Sequence, residues 1–166
     1  MGRRVISFGL NEKDLNRAIR ELEEYRKEFL RKCNELVRQL TEHGEEIAKL
    51  EVVQLGAFDT GNLHESIHGY FDPDSRVGFI KAECWYAVYV EYGTGIKGFN
   101  EGRHPAYMEH GWYYDKNHHG EAGWTYFSVR DGRFHHTTGK VSKPFMYNTF
   151  RILQQQAHNY AQTVFG

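Results

Sequence analysis

Residues 11–50 read NEKDLNRAIR ELEEYRKEFL RKCNELVRQL TEHGEEIAKL, and their spacing sets the architecture. Leu15, Ile19, Leu22, Phe29, Cys33, Leu36, Leu40, Ile47 and Leu50 recur at alternating steps of three and four, with Arg26 and His43 breaking the row. That period belongs to an amphipathic helix. Asn11 is placed to cap it, and Glu12 and Asp14 fall in the first turn, where the helix dipole favours anions. Glu23–Lys27, Glu28–Lys32 and Glu45–Lys49 are i,i+4 pairs in the better orientation. Gly44 costs about 1 kcal/mol in a helix interior, which leaves two readings open. A continuous helix would span on the order of 60 Å and offer surplus apolar stripe to a coiled coil or a subunit contact. A helix broken at Gly44 would fold back on itself.

Working outward, Val5 to Phe8 is a short apolar run that reads as a strand. Beyond Leu55-Gly56 the period changes. Thr60-Gly61-Asn62-Leu63 opens a short helical turn that stops at Gly69. Gly69–Phe71 and Arg76–Glu83 flank Asp72-Pro73-Asp74-Ser75, which is the signature of a β-hairpin. Trp85 to Tyr92 is apolar and reads as strand or short helix. Trp112–Tyr114 and Trp124–Val129 read as strands inside a stretch rich in glycine, histidine and aromatics. From Tyr147 to Phe165, Phe150, Leu153, Ala157, Tyr160 and Val164 share one face of a closing helix. The expectation is a single α+β domain over 1–166: an N-terminal helical part (1–55) built on the long amphipathic helix, a core formed by 56–95 and 141–166, and an inserted segment (96–140). A central antiparallel β-sheet carries an inserted aromatic-rich hairpin, and the C-terminal helix packs on the sheet.

Charge excludes one class of function. Residues 1–50 carry 11 basic and 10 acidic side chains and the remainder 10 and 12. Neither part has the basic excess that drives phosphate binding, so no sequence-specific nucleic-acid partner is expected. Cys33 and Cys84 match no metal or redox spacing, no secretory signal is evident, and no apolar run is long enough for a bilayer. The chain therefore reads as made in the cytosol, with no membrane partner.

The sharpest local pattern is His64-Glu65-Ser66-Ile67-His68. On a helix, histidines four apart share a face and bind one zinc, with the adjacent glutamate as general base. Asp74 stands where a third ligand falls in the extended motif. Against this, Phe71 occupies the position where that motif needs glycine, and Gly69 and the Asp72-Pro73 turn interrupt the helix. The flanks, Asn62, His64 and Glu65, are polar. A second cluster, His118-His119 with Asp115 and Glu121, has no helical or paired-ligand spacing, and neither have His104, His110, His135 and His136. No phosphate loop, nucleophile elbow or Cys-x-x-Cys is present. We expect no catalytic residues, no metal and no cofactor. The alternative is a small zinc metalloprotease using His64, Glu65, His68 and Asp74.

Three separated motifs point elsewhere. They are Asp59-Thr60-Gly61-Asn62-Leu63-His64-Glu65-Ser66-Ile67, then Tyr86-Ala87-Val88-Tyr89-Val90-Glu91-Tyr92-Gly93-Thr94-Gly95, then Lys143-Pro144-Phe145-Met146. Together and in this order they resemble the minor tail or tail-completion family of siphophages, whose members join tail to head in the neck. Phe8-Gly9-Leu10 leading into an amphipathic helix fits the same resemblance. The pattern fixes Thr60, Gly61, Leu63, Ser66 and Ile67 in the first motif, so His64 and Glu65 fall on unconstrained positions. It carries Tyr86, Val90, Glu91, Gly93, Thr94 and Gly95 in the second, and Pro144, Phe145 and Met146 in the third.

The resemblance implies a structural virion component of a tailed phage or prophage. It would be made in the host cytoplasm and assembled at the tail or neck as a homo-oligomeric ring, a hexamer by expectation. The implied partners are itself, the tail tube or tail terminator, and the head–tail connector. A tail-assembly factor absent from the mature particle is a further alternative.

Each motif residue has a structural reading. Thr60 would cap the short helix while Gly61 allows close approach, and Leu63 and Ile67 would bury together. Gly93 and Gly95 would take backbone angles closed to other residues, with Glu91 accepting hydrogen bonds from the amides of that turn. Pro144 suits the first turn of a helix that Phe145 and Met146 dock on the sheet.

Roughly fifty residues separate the second and third motifs, where many family members have a compact segment. Nineteen of the chain's 25 aromatics lie between Tyr70 and Phe150, more than an idle loop exposes. We expect a hairpin of Trp112–Asp115 against Gly123–Arg130 with an exposed tip at Lys116–Gly120. Trp112, Tyr113, Tyr114, Trp124, Tyr126 and Phe127 are the candidate interface residues.

Overall fold

The computed structural model describes Gly9 and residues 11–166. The strand expected at Val5–Phe8 lies outside the described residues. Element order is α1 (Glu12–Gln54), α2 (Asn62–Glu65), β1 (Ile67–Asp72), β2 (Val77–Ala82), α3 (Ala87–Tyr92), α4 (Gly95–Glu101), a 3₁₀ turn (Gly120–Ala122), β3 (Trp124–Ser128), β4 (Arg133–Thr137) and α5 (Phe145–Phe165). The α+β class is as expected.

α1 runs unbroken for 43 residues. Asn11 Oδ1 accepts the Asp14 N–H at 2.9 Å, the cap the sequence predicts. The other end closes as a Schellman motif: Gly56 takes φ +61°, its N–H reaches Val53 O, and the Ala57 N–H reaches Val52 O. Gly44 does not break the helix. It is buried, and a Cβ there would collide with Ile80 and lie 2.8 Å from Leu153 Cδ1. Glycine at this point lets α1 lie directly on β2 and α5, a packing gain that offsets its helix propensity.

β1 and β2 form the predicted hairpin, pairing antiparallel from Ile67↔Ala82 to Asp72↔Val77. Asp72 closes its turn by accepting the Asp74 N–H at 3.0 Å and the Ser75 hydroxyl at 2.5 Å. The hairpin lies against α1, where Gly78 approaches Thr41 too closely for a side chain, and a Cβ on Gly69 would lie 3.0 Å from Thr41 O. Glu45 of α1 accepts the Gly69 N–H at 2.7 Å and pins the start of the hairpin.

Two expectations need correction in detail. The described β structure is two separate two-stranded sheets, β1–β2 and β3–β4, rather than one sheet with an inserted hairpin. The closing helix packs chiefly on α1, to which it runs antiparallel: Phe165 meets Phe29, Tyr160 meets His43, and Asn148 Nδ2 donates to Glu51 Oε2 at 2.7 Å. A two-stranded hairpin offers too little surface to cover a 21-residue helix, whereas α1 presents a parallel apolar stripe.

The core gathers Ala48 and Val52 of α1, Leu63, Ile67, Ala87, Val90 and Phe145. Leu63 and Ile67 are buried together as expected, but α2 ends at Glu65 and Ile67 opens β1. Trp112–Asp115 forms no strand. β3 pairs instead with β4, across a turn in which Gly132 takes φ +66° and donates to Ser128 O.

Candidate functional site

The second and third motifs meet at one buried carboxylate, and the first joins them through Leu63 and Ile67 in the apolar core. Glu91 is in α3, at the end of the apolar run Ala87–Val90, and its side chain turns inward. Oε2 accepts the Met146 N–H and Oε1 the Tyr147 N–H, each at 2.9 Å. These are free amides of the first turn of α5, so Glu91 supplies the anion that this helix N-terminus calls for. From sequence Glu91 is expected to serve its own glycine turn; its actual acceptor role spans 55 and 56 residues.

His104, from the inserted segment, completes the clamp. Its Nε2 lies 3.0 Å from Glu91 Oε1, and its Nδ1 accepts the Ala106 N–H at 3.1 Å. Since Nδ1 is an acceptor, the ring proton sits on Nε2 and is donated to Glu91. The His104 ring rests on Tyr92, centroids 4.2 Å apart, and meets Tyr147 edge-on. Its backbone N–H donates to the Tyr114 hydroxyl at 2.8 Å. Burial pushes the Tyr92 and Tyr114 phenols up from their ordinary value. Both nitrogens of His104 and both oxygens of Glu91 are engaged within the protein. The arrangement clamps the inserted segment to the first turn of α5.

The glycine turn locks beside it. Gly93 and Gly95 take φ +78° and +66°, as the sequence predicts. A Cβ on Gly93 would lie 2.7 Å from Lys140 O, and one on Gly95 would collide with Thr138 O. Thr94 and Lys140 exchange both backbone hydrogen bonds, so the two ends of the inserted segment are stapled side by side. Trp112 Nε1 donates to Gly93 O at 3.1 Å, and its ring stacks on Tyr92 at 4.8 Å. Gly95 N–H donates to Tyr114 O.

The remaining motif residues surround this knot. Gly61, with φ +87°, caps α2, and Thr60 accepts only a long 3.5 Å bond from Asn62 N–H, so the capping role expected of Thr60 passes to the glycine. Ser66 Oγ donates to Leu63 O, and the Tyr86 hydroxyl accepts from Asn62 Nδ2. Val90 O accepts the Lys143 N–H. Pro144 is the capping position of α5, Phe145 is fully buried, and Met146 lies half-buried against the core.

The candidate zinc ligands do not come together on one helix. His64 is on α2 against Phe58, His68 is on β1 beside Tyr70, and Asp74 is in the hairpin turn. In the second histidine cluster, Asp115 accepts backbone N–H bonds from His119 at 2.9 Å and Gly120 at 2.7 Å, closing a loop. Among the described residues, no three histidine, cysteine or acidic side chains are placed to share a metal ion. None of their helices is long and apolar enough to cross a membrane.

The candidate interface residues divide. Trp112 and Tyr114 belong to the clamp. Tyr113, Tyr126 and Phe127 are exposed, and Trp124 is half-buried. The candidate interface residues leave out Trp85, which is 82% exposed, and Phe134 of β4, 75% exposed. A groove of about 1020 Å³ runs between Trp85, Tyr89, Tyr113 and Trp124, floored by Trp112. A second apolar surface is the stripe of Leu15, Ile19 and Leu22, on the part of α1 that projects past the end of α5 at Phe29.

No protein-family model matches this chain, and no curated protein or solved structure is significantly similar to it.

Proposed function

We propose that this protein is a non-enzymatic structural component of a tailed phage or prophage particle, a tail-completion or neck protein. It assembles as a closed homo-oligomeric ring, six copies by expectation, and joins the tail tube or terminator to the head–tail connector. The observation that carries this reading is the meeting of the three motifs in one knot. Residues of the second and third motifs fix α3, the glycine turn and the start of α5 to each other, and Leu63 and Ile67 of the first pack beneath them in the core. A motif set whose residues tie the chain's own elements together supports the reading of a building block.

The exposed stripe on α1 adds support. Leu22 is 54% exposed in a helix that packs its other half tightly, and an uncovered apolar stripe at steps of three and four is what a neighbouring subunit covers.

Two measurements test the proposal. Native mass determination of the purified protein should give a ring of defined copy number, and Leu22→Glu should reduce it without lowering the melting temperature. Particles from a lysogen lacking the gene should yield separate heads and tails that the purified protein joins. A monomer at every concentration, or joined particles without the gene, would overturn the reading. Its absence from purified joined particles would favour an assembly factor instead.

A further inference from the structure

The β3–β4 hairpin cannot satisfy itself. Its register puts Thr125, Phe127, Phe134 and His136 on one face, and all four are exposed. Phe127 and Phe134 pair edge-to-face, 5.2 Å between centroids, yet remain 53% and 75% exposed, and Val129 at the tip is 90% exposed. Isolated two-stranded hairpins are marginal in water. The tip is tied to the body by an ion pair between Arg130 and Asp59, both exposed, and such pairs contribute little. The hairpin is an arm held lightly in place.

The groove between Trp85, Tyr89 and Tyr113, one wall of which is Trp124 and Thr125 at the root of the arm, offers what the outer part of the arm lacks. It has aromatic walls, and its charged lining residues are one acid and one base, Asp115 and Lys116. Nothing there selects a polyanion or a polycation; the complement is apolar and aromatic, with a polar rim.

We infer that the arm of one copy seats in the aromatic groove of the next, so that Phe127, Val129 and Phe134 pack against Trp85, Tyr89 and Tyr113 of a second copy of this chain. At their observed exposures these six side chains present on the order of 800 Å². That is about half of a standard interface of roughly 1,600 Å² before any flanking residue is counted. The two sets of residues differ, so the contact is head-to-tail, and repetition closes it into a ring when the rotation from copy to copy divides a full turn. The inference rests on the ring reading above and assigns the surfaces that make the ring.

Two singly substituted proteins test it, Val129→Cys and Lys116→Cys, each in a Cys33→Ser/Cys84→Ser background that melts like the parent. Mixed and treated with a short bifunctional thiol reagent, they should give a cross-linked pair that neither gives alone. Phe134→Glu should abolish the cross-link and lower the native mass to monomer, with an unchanged melting temperature. If rings form but the mixed pair does not cross-link and Phe134→Glu leaves the ring intact, the arm-in-groove contact is wrong while the ring reading stands. If the parent is monomeric throughout, the ring reading fails and this inference with it.

Discussion

Oε1 of Glu91 stands 3.0 Å from Nε2 of His104, inside the core and 13 residues away in sequence. The same oxygen takes the Tyr147 amide, so one carboxylate joins the inserted segment to the first turn of α5. Removing it leaves two helix amides and an imidazole N–H without their acceptor. Glu91→Ala should cost about 3 kcal/mol, a drop of about 6–12 °C in melting temperature for a domain of this size. Glu91→Gln keeps one oxygen in place and should lose about half as much. If both variants melt within a degree of the parent, the clamp does not hold the fold together.

Gly95 and Gly132 share φ +66° but differ in surroundings. A Cβ at Gly95 meets Thr138 O, while one at Gly132 meets nothing within 4 Å. Gly132→Ala should therefore carry only the cost of the left-handed angle, about 1 kcal/mol, and Gly95→Ala clearly more. Urea unfolding of the two variants side by side measures the difference. Equal losses would mean that the close approach of Thr138 contributes nothing.

Acid should loosen the structure at particular places. Lys49 and the Gly69 N–H hold the Glu45 carboxyl below its ordinary value, and the Gly120 and His119 amides do the same for Asp115. Ser75 and the Asp74 amide depress Asp72. Depressed carboxyls stabilise the fold above their unfolded values and lose that contribution as pH falls through the folded ones. The unfolding midpoint in urea should stay flat from pH 7 to about 5 and decline below about 4. Glu45→Gln should flatten part of that decline. A midpoint that rises on acidification would contradict the sign.

Zinc should have no effect. His64 and His68 lie on different elements, so metal analysis of untagged protein should find no stoichiometric zinc, and added zinc should not raise the melting temperature. His64→Ala should melt like the parent and leave assembly unchanged. Tight zinc binding lost in that variant, together with casein cleavage, would establish the metalloprotease reading.

Local chemistry is legible in the sequence and distant partnership is not. Asn11 capping α1 and Asp72 closing its turn act within three residues, so reading them needs no fold. Gly44 looks like a weak point because its compensation lies on Ile80 and Leu153, far along the chain. Trp112–Asp115 has the composition of a strand, yet each ring is placed singly, Trp112 by Gly93 O and Tyr114 by the His104 amide. The true partner of β3 is Arg133–Thr137, too polar to read as a strand by periodicity. Asp131-Gly132 is the signal that finds it, because Asp-Gly between two extended runs marks a hairpin. The residues of the knot are legible as a set, but the amides that Glu91 takes are not, because they begin 55 residues later.

The backbone bridge between Thr94 and Lys140 brings both ends of the intervening chain to one point. Chain length between two such fixed ends is nearly free in energy, since each doubling of a loop costs only about 0.6 kcal/mol. His104, Trp112 and Tyr114 must stay, because they complete the clamp, but the chain from Lys116 to Thr137 touches it little. That stretch is an interchangeable cassette on a fixed chassis. Related sequences can lengthen, shorten or replace it without renegotiating the core, and a reporter domain grafted at Asp131-Gly132 would leave the fold intact while removing whatever contact the arm makes.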